Sequence, residues 1–207
     1  ETRRMRAEFD RLLGGQPGEG AAEQVGVAVT VAHSQLEGIR TAVHEQRADL
    51  LVLGWRDADT SSERLFGPPI DALLREPPCD VVVLRLHDAA DNRRVLLPVR
   101  NGPHTPLACD IALALANHYD AAITMLYAHE ARRPDDIAVR ESLQALRGLP
   151  RVDHWIERAM PAEQAILAEA ADHQLLVLGV TGRRTDPEAP VGALAERILR
   201  LSSATVA

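Results

Sequence analysis

Short apolar runs, separated by stretches with helical periodicity, divide this chain into elements. Leu50–Leu53, Val81–Leu86 and Leu175–Leu178 read as strands, and runs so continuously apolar suit a parallel sheet covered on both faces. Met5, Phe9, Leu12 and Leu13 fall at helical spacing between Arg3 and Leu13, and Gly14-Gly15 stops that helix. Alternation of Val25, Val27, Val29 and Val31 predicts a strand. Ser34, with Glu37 three positions on, marks the start of a helix running to about Gln46. Ile70–Arg75 reads as a short helix ended by Pro77-Pro78.

From Arg94 onward the alternation is regular. Strands are expected at Arg94–Val99, Ala121–Ala128, Arg151–Ile156, Leu175–Leu178 and from Ala204. Helices are expected at Leu107–His118 (Thr105 as N-cap, Pro106 in the first turn), Asp135–Leu146, Ala162–Ala171 and Val191–Leu201. Strict β-α alternation argues a doubly wound parallel sheet with right-handed crossovers.

The chain also repeats itself. Leu50-Leu51-Val52-Leu53-Gly54 returns as Leu175-Leu176-Val177-Leu178-Gly179, an offset of 179 − 54 = 125 residues. The same offset carries Gly67 onto Gly192, Leu74 onto Leu199, Arg75 onto Arg200 and Val81 onto Val206, with no gap from Leu50 to Val82. A period of domain length implies tandem domains, not a solenoid. The expected division is a first domain over 1–88, a linker at 89–93 and a second domain over 94–207. Aligned with the second copy, the first lacks a first strand, a first helix and a second strand. That half-unit would leave a long open edge in the core, so the chain is expected to be an excerpt of a longer fold.

Composition narrows the function. Of 207 residues, 46% are hydrophobic and 3% aromatic, and the formal charge is −7. An acidic chain poor in aromatics does not suit a general nucleic-acid surface. No apolar run approaches the roughly 20 residues of a membrane helix, and no signal peptide opens the chain; a cytoplasmic location is expected. Cys79 and Cys109 suggest neither a disulfide framework nor a metal site and read as small buried residues.

The spacing Gly179-x2-Gly182-x9-Gly192 follows the fourth strand of the second copy. Glycine at a strand end admits close backbone approach. A helix beginning at 193 offers free N–H groups and a favourable dipole to a phosphate. Arg183 and Arg184 could add charge-assisted bonds, although such glycines also serve merely to shape turns.

These residues resemble the universal stress protein (UspA-like) family of adenine-nucleotide-binding α/β proteins. The carrying stretches are Ala48–Gly54 through Pro78–Arg85, Arg94–Asn101, and Leu175 through Val206. The resemblance implies two tandem doubly wound parallel five-stranded sheets of order 3-2-1-4-5, the first incomplete, with pairing through the last strands as a homodimer or internal pseudo-dimer. It implies ATP or another adenine nucleotide in the second copy, held by Gly179, Gly182, Arg183 and Gly192. Val99, Arg100, Ala193 and Leu194 would complete that site.

Departures from the family pattern are specific. Ala193 stands where binding members have a hydroxyl. Arg100 replaces an acid, and a guanidinium cannot accept a ribose hydroxyl's hydrogen bond. In the first copy Asp57 replaces the middle glycine and Pro68 removes an N–H, so that copy is expected not to bind. A binding-dead interaction module is therefore the rival to a nucleotide sensor. Glu37–Ala42 and Leu97–Pro103 further resemble the cytoplasmic C-terminal regions of amino-acid permease-like and cation–chloride cotransporter-like transporters, which implies attachment to a membrane transporter.

No nucleophile elbow, P-loop or metal-ligand spacing occurs, and no constellation for acid–base chemistry is visible, so a non-catalytic protein is expected. Of eight histidines, His104 and His129 fall near expected carboxyl ends of strands; both read as solvated or capping. Asp135-Asp136 reads as a helix start.

Overall fold

A computed structural model describes residues 28–55, 65–85, 94–100, 102–129, 143–180, 191–202 and 204–207. Two compact units divide at Asp49. The described part of the first carries helix α1 (Gln35–Gln46). Its start has the first half of the expected capping box, Glu37 N donating to Ser34 Oγ at 3.2 Å, while the Glu37 carboxylate accepts from His33 N, one residue before the cap, at 3.2 Å. Arg47 ends it in the left-handed region (φ 51°), bonding back to His44 and Val43 carbonyls. Residues 28–31, expected to finish a strand, are in none. The helix expected at 3–13 and the linker 89–93 lie outside the described residues.

The second unit contains β1 (Leu50–Trp55), α2 (Pro68–Arg75), β2 (Asp80–Arg85), β3 (Arg94–Pro98), α3 (Thr105–Tyr119), β4 (Ala122–Ala128), β5 (Val152–Arg158), α4 (Ala162–Ala170), β6 (Leu175–Leu176), α5 (Ala193–Leu201) and β7 (Thr205–Val206). A 3-10 turn at Ala145–Gly148 stands where the helix expected at Asp135–Leu146 would end; Asp135 and Asp136 lie outside the described residues.

All these strands join one sheet in the order β1-β2-β7-β6-β3-β4-β5. Every pairing is parallel except β2 with β7, which meet antiparallel at Arg85↔Val206. The expected pair of separate five-stranded sheets is thus replaced by a single seven-stranded one. Residues 1–88 contribute only β1 and β2 among the described residues, and the antiparallel junction fuses these to the rest. Within 94–207 the order β5-β4-β3-β6-β7 is the one expected for the second half.

Both faces are covered over the middle of the sheet, which explains the unbroken apolar runs there. Leu96, Leu126 and Leu176 pack beneath α4 and α5 with Ala165, Ile166, Ile198 and Leu199. Their alternating neighbours Val95, Leu97, Ile123, Met125, Leu175 and Val177 pack beneath Ala108, Cys109, Ala112 and Ala116 of α3. The small residues of α3 let that helix lie close to the strands. Burial pushes the Cys109 thiol above its ordinary pKa range, and Asp110 adds to the shift.

Candidate functional site

The direction in which the chain winds across the sheet reverses at one place in its parallel part. β3 leads through α3 to β4 on one side, while β6 pairs with its other side. Ligands of open α/β sheets sit outside the carboxyl ends of strands at such a switch point. Val99, Arg100 and Gly179 follow those carboxyl ends, so the fold brings three of the expected site residues to one edge.

Their chemistry differs from residue to residue. The Val99 side chain is buried under α3, and its N–H already donates to Leu126 O at 2.8 Å. Val99 therefore shapes the floor and offers no free donor. The Arg100 carbonyl accepts from Thr105 Oγ1, while its exposed guanidinium makes no hydrogen bond or ion pair among the described residues. Thr105 is thus not the N-cap: His104 holds that position and Thr105 opens the helix, its hydroxyl tying down the preceding loop. At Gly179 a Cβ would meet Ala108 Cβ at 3.6 Å and His104 O at 3.7 Å. Those are ordinary contacts, so packing alone does not require glycine there.

The start of α5 supplies donors. Gly192 is the N-cap in extended geometry with no side-chain cap. The first bond inside the helix runs from Glu196 N to Gly192 O at 3.0 Å. The N–H groups of Ala193, Leu194 and Ala195 precede it and face outward from the helix end. Ala193 and Leu194 are exposed, and Val191 lines the same cavity as Gly179 and Val180. That cavity, about 220 Å³, lies on the far side of β6 from Val99. Gly182 and Arg183, like Arg184 and Asp57, lie outside the described residues.

Two features went unnoticed in the sequence. His129 Nε2 and Glu157 Oε1 lie 2.9 Å apart, clasping the carboxyl ends of β4 and β5, and the His129 ring stacks near Tyr127. Both members sit at strand ends 28 residues apart, with no motif to join them. Arg85 is the second. It is buried, its guanidinium donates to the carbonyls of Leu199 (2.6 Å), Ser202 (2.5 Å) and Ala204 (3.2 Å), and it lies 5.2 Å from the Trp55 ring centroid. A lone cation closing an apolar strand was the available signal. His104, as expected, sits at the carboxyl edge and is exposed. Among the described residues no three metal-ligating side chains cluster, and no helix is long and apolar enough to cross a membrane.

This architecture is an α/β fold built on parallel strands, of the kind seen in universal stress proteins. Residues 3–85 match the model of the universal stress protein family, which supports such a domain over that stretch. Three solved structures are similar across most of the chain. One is a protein from Pseudomonas aeruginosa UCBPP-PA14 assigned to the universal stress proteins (19% identity, TM-score 0.68, 100% of this chain and 77% of that one). Another is a functionally unknown protein from Pseudomonas aeruginosa PAO1 (18% identity, TM-score 0.67, 99% and 76%). The third is a universal stress protein from Archaeoglobus fulgidus DSM 4304 (20% identity, TM-score 0.58, 83% and 63%). The likeness at these identities is one of fold. No curated protein matches the chain.

Proposed function

We propose that the chain is a non-catalytic regulatory module with two tandem copies of one domain, and that residues 94–207 bind an adenine nucleotide. The observation that carries this reading is the uncapped, exposed start of α5 at the carboxyl edge of the sheet. Three consecutive main-chain donors and the positive helix end would take the phosphates. Arg100 would meet a phosphate where an acid would meet a ribose. The missing hydroxyl at Ala193 lowers the number of phosphate bonds, which favours a weak, readily exchanging ligand.

Thermal shift with ATP, ADP, AMP and cyclic dinucleotides tests the reading. A ligand held at a hundredfold above its Kd adds about 2.7 kcal/mol of apparent stability. The decisive variant carries Ala193→Pro and Leu194→Pro, which copies Pro68-Pro69 of α2 into α5. The fold already tolerates two prolines at a helix start, and proline is accepted in the first turn. Two donors vanish, so affinity should fall roughly 50-fold while the melting temperature of the ligand-free protein holds. A flat response of the parent chain to every nucleotide leaves the second reading, an interaction module without small ligand, which the β2/β7 junction between the repeats favours.

The same proposal places the module on the cytoplasmic side of a membrane transporter. The reading frame upstream of Glu1 decides this: successive membrane spans support it, and a start codon shortly before Glu1 removes it.

A further inference from the structure

The loop that carries Arg100 is held in place although it is largely exposed. Arg100, Pro103 and His104 are exposed, while Gly102 and Thr105 are half-buried. Arg100 stands two positions after β3 ends at Pro98. Among the described residues, three hydrogen bonds close the stretch from there into α3. Thr105 Oγ1 donates to Arg100 O, Thr105 N donates to Gly102 O at 3.1 Å, and Ala108 N donates to His104 O at 3.0 Å. The first alone comes from a side chain, and it alone reaches Arg100. On the strand side, Val99 N donates to Leu126 O at 2.8 Å. The Arg100 backbone is thus fixed through the amide before it and through its own carbonyl.

The Thr105 bond does nothing for the helix it opens. A capping side chain accepts a hydrogen bond from a free N–H of the first turn. The Thr105 hydroxyl instead donates, and it donates backwards, into the loop. His104 holds the N-cap position and makes no side-chain cap bond. The hydroxyl also leaves little to chance. Threonine is stiff at χ1, and the following Pro106 restricts the Thr105 backbone while costing no helical bond in the first turn. All this order goes into the main chain of Arg100. Its guanidinium makes no hydrogen bond or ion pair among the described residues. A loop ordered in advance does not pay that conformational entropy when a ligand arrives.

We propose that Thr105 is a positioning residue for anion binding. By holding the Arg100 carbonyl, it fixes the backbone from which the guanidinium is presented to a phosphate chain. This inference rests on the reading of Arg100 as a phosphate contact, and it is indifferent to the base of the nucleotide.

A double-mutant cycle tests it. Affinities for ATP and for inorganic tripolyphosphate are measured by titration calorimetry on the parent, Thr105→Val, Thr105→Ser, Arg100→Gln and the Arg100→Gln/Thr105→Val pair. Valine keeps the branched shape and removes the donor, and the exposed Arg100 carbonyl can turn to water, so the fold should hold. Thr105→Val should weaken binding about fivefold, and Thr105→Ser, which restores the hydroxyl, less than about twofold. Arg100→Gln should weaken it about tenfold. In the Arg100→Gln background, Thr105→Val should cost nothing further. Equal losses from Thr105→Val in both backgrounds overturn the proposal, because Thr105 would then act through the helix start and not through Arg100. Unchanged affinity in Thr105→Val with Arg100 intact overturns it too. If tripolyphosphate binds with the expected pattern and ATP does not bind, the positioning role stands and the nucleotide reading fails. Binding of neither probe overturns both.

Discussion

The same five residues, Leu-Leu-Val-Leu-Gly, occur at 50–54 and 175–179 and meet opposite fates. Leu175 and Val177 are 2% exposed, whereas Leu50 is 36% and Val52 53% exposed. Both pairs point to the same side of their strand by the period-two rule. In the second repeat that side lies under α3; in the first, no helix of the same unit covers it among the described residues. Sequence identity sets the strand, and the crossover helix sets its burial. The largest contrast follows. Leu175→Ala should cost about 3.5 kcal/mol, since a full side chain leaves a closed cavity. Leu50→Ala should cost under about 1 kcal/mol, because less apolar surface is withdrawn from water there. Urea midpoints at constant m-value measure both, and equal losses would break the comparison by showing that β1 is covered in solution.

A cation ties the two repeats together: β2 ends in Arg85, whose guanidinium reaches three carbonyls around the end of α5 in the second repeat. Arg85→Met removes a buried guanidinium from three carbonyls and from the Trp55 ring while roughly keeping its volume. The carbonyls lose their donor in a place water does not reach, so the expected cost is about 3 kcal/mol, read from the same denaturation curves. Arg85→Lys should recover only part of it, because a point charge cannot span three acceptors as a planar fork does. A loss below about 1 kcal/mol would mean that the β2/β7 junction is held by strand packing instead.

Much of the scaffold is legible in the residues because local and global signals agree. The Ser34 cap of α1, the small-residue helix α3, and the strands at Arg94, Ala122 and Leu175 all form within a few residues of expectation. What local patterns cannot carry is the joining of the two halves into one sheet. That depends on a single antiparallel pair, Arg85↔Val206, between residues over a hundred positions apart. The site divides in the same way. Gly192 at a helix start and Val99 and Gly179 at strand ends follow from spacing, since a β-α unit sends these to one edge. That the Val99 amide is engaged by Leu126, and that Thr105 anchors Arg100, depends on neighbours the spacing does not name. Arg85 escaped for a related reason: a charge at a strand end reads as solvated unless its acceptors, here 114 to 119 positions away, are known.

The smallest contrast concerns two glycines that the repeat makes equivalent. Gly67 is the N-cap of α2 with φ 138° and ψ 160°, a region open essentially to glycine alone. Gly192 is the N-cap of α5 with φ −68° and ψ 153°, which any residue adopts. Among the described residues, no atom beyond its chain neighbours lies within 4 Å of where a Gly67 Cβ would be. Gly67→Ala should therefore cost about 2 kcal/mol from backbone strain alone. Gly192→Ala should stay within about 0.5 kcal/mol, a slightly poorer cap being offset by a less flexible unfolded chain. Thermal unfolding of the two variants resolves the difference. Equal costs would mean that the Pro68-Pro69 start does not hold Gly67 in its unusual conformation. The divergence at α2 and α5 would then be confined to the N–H groups that the prolines remove.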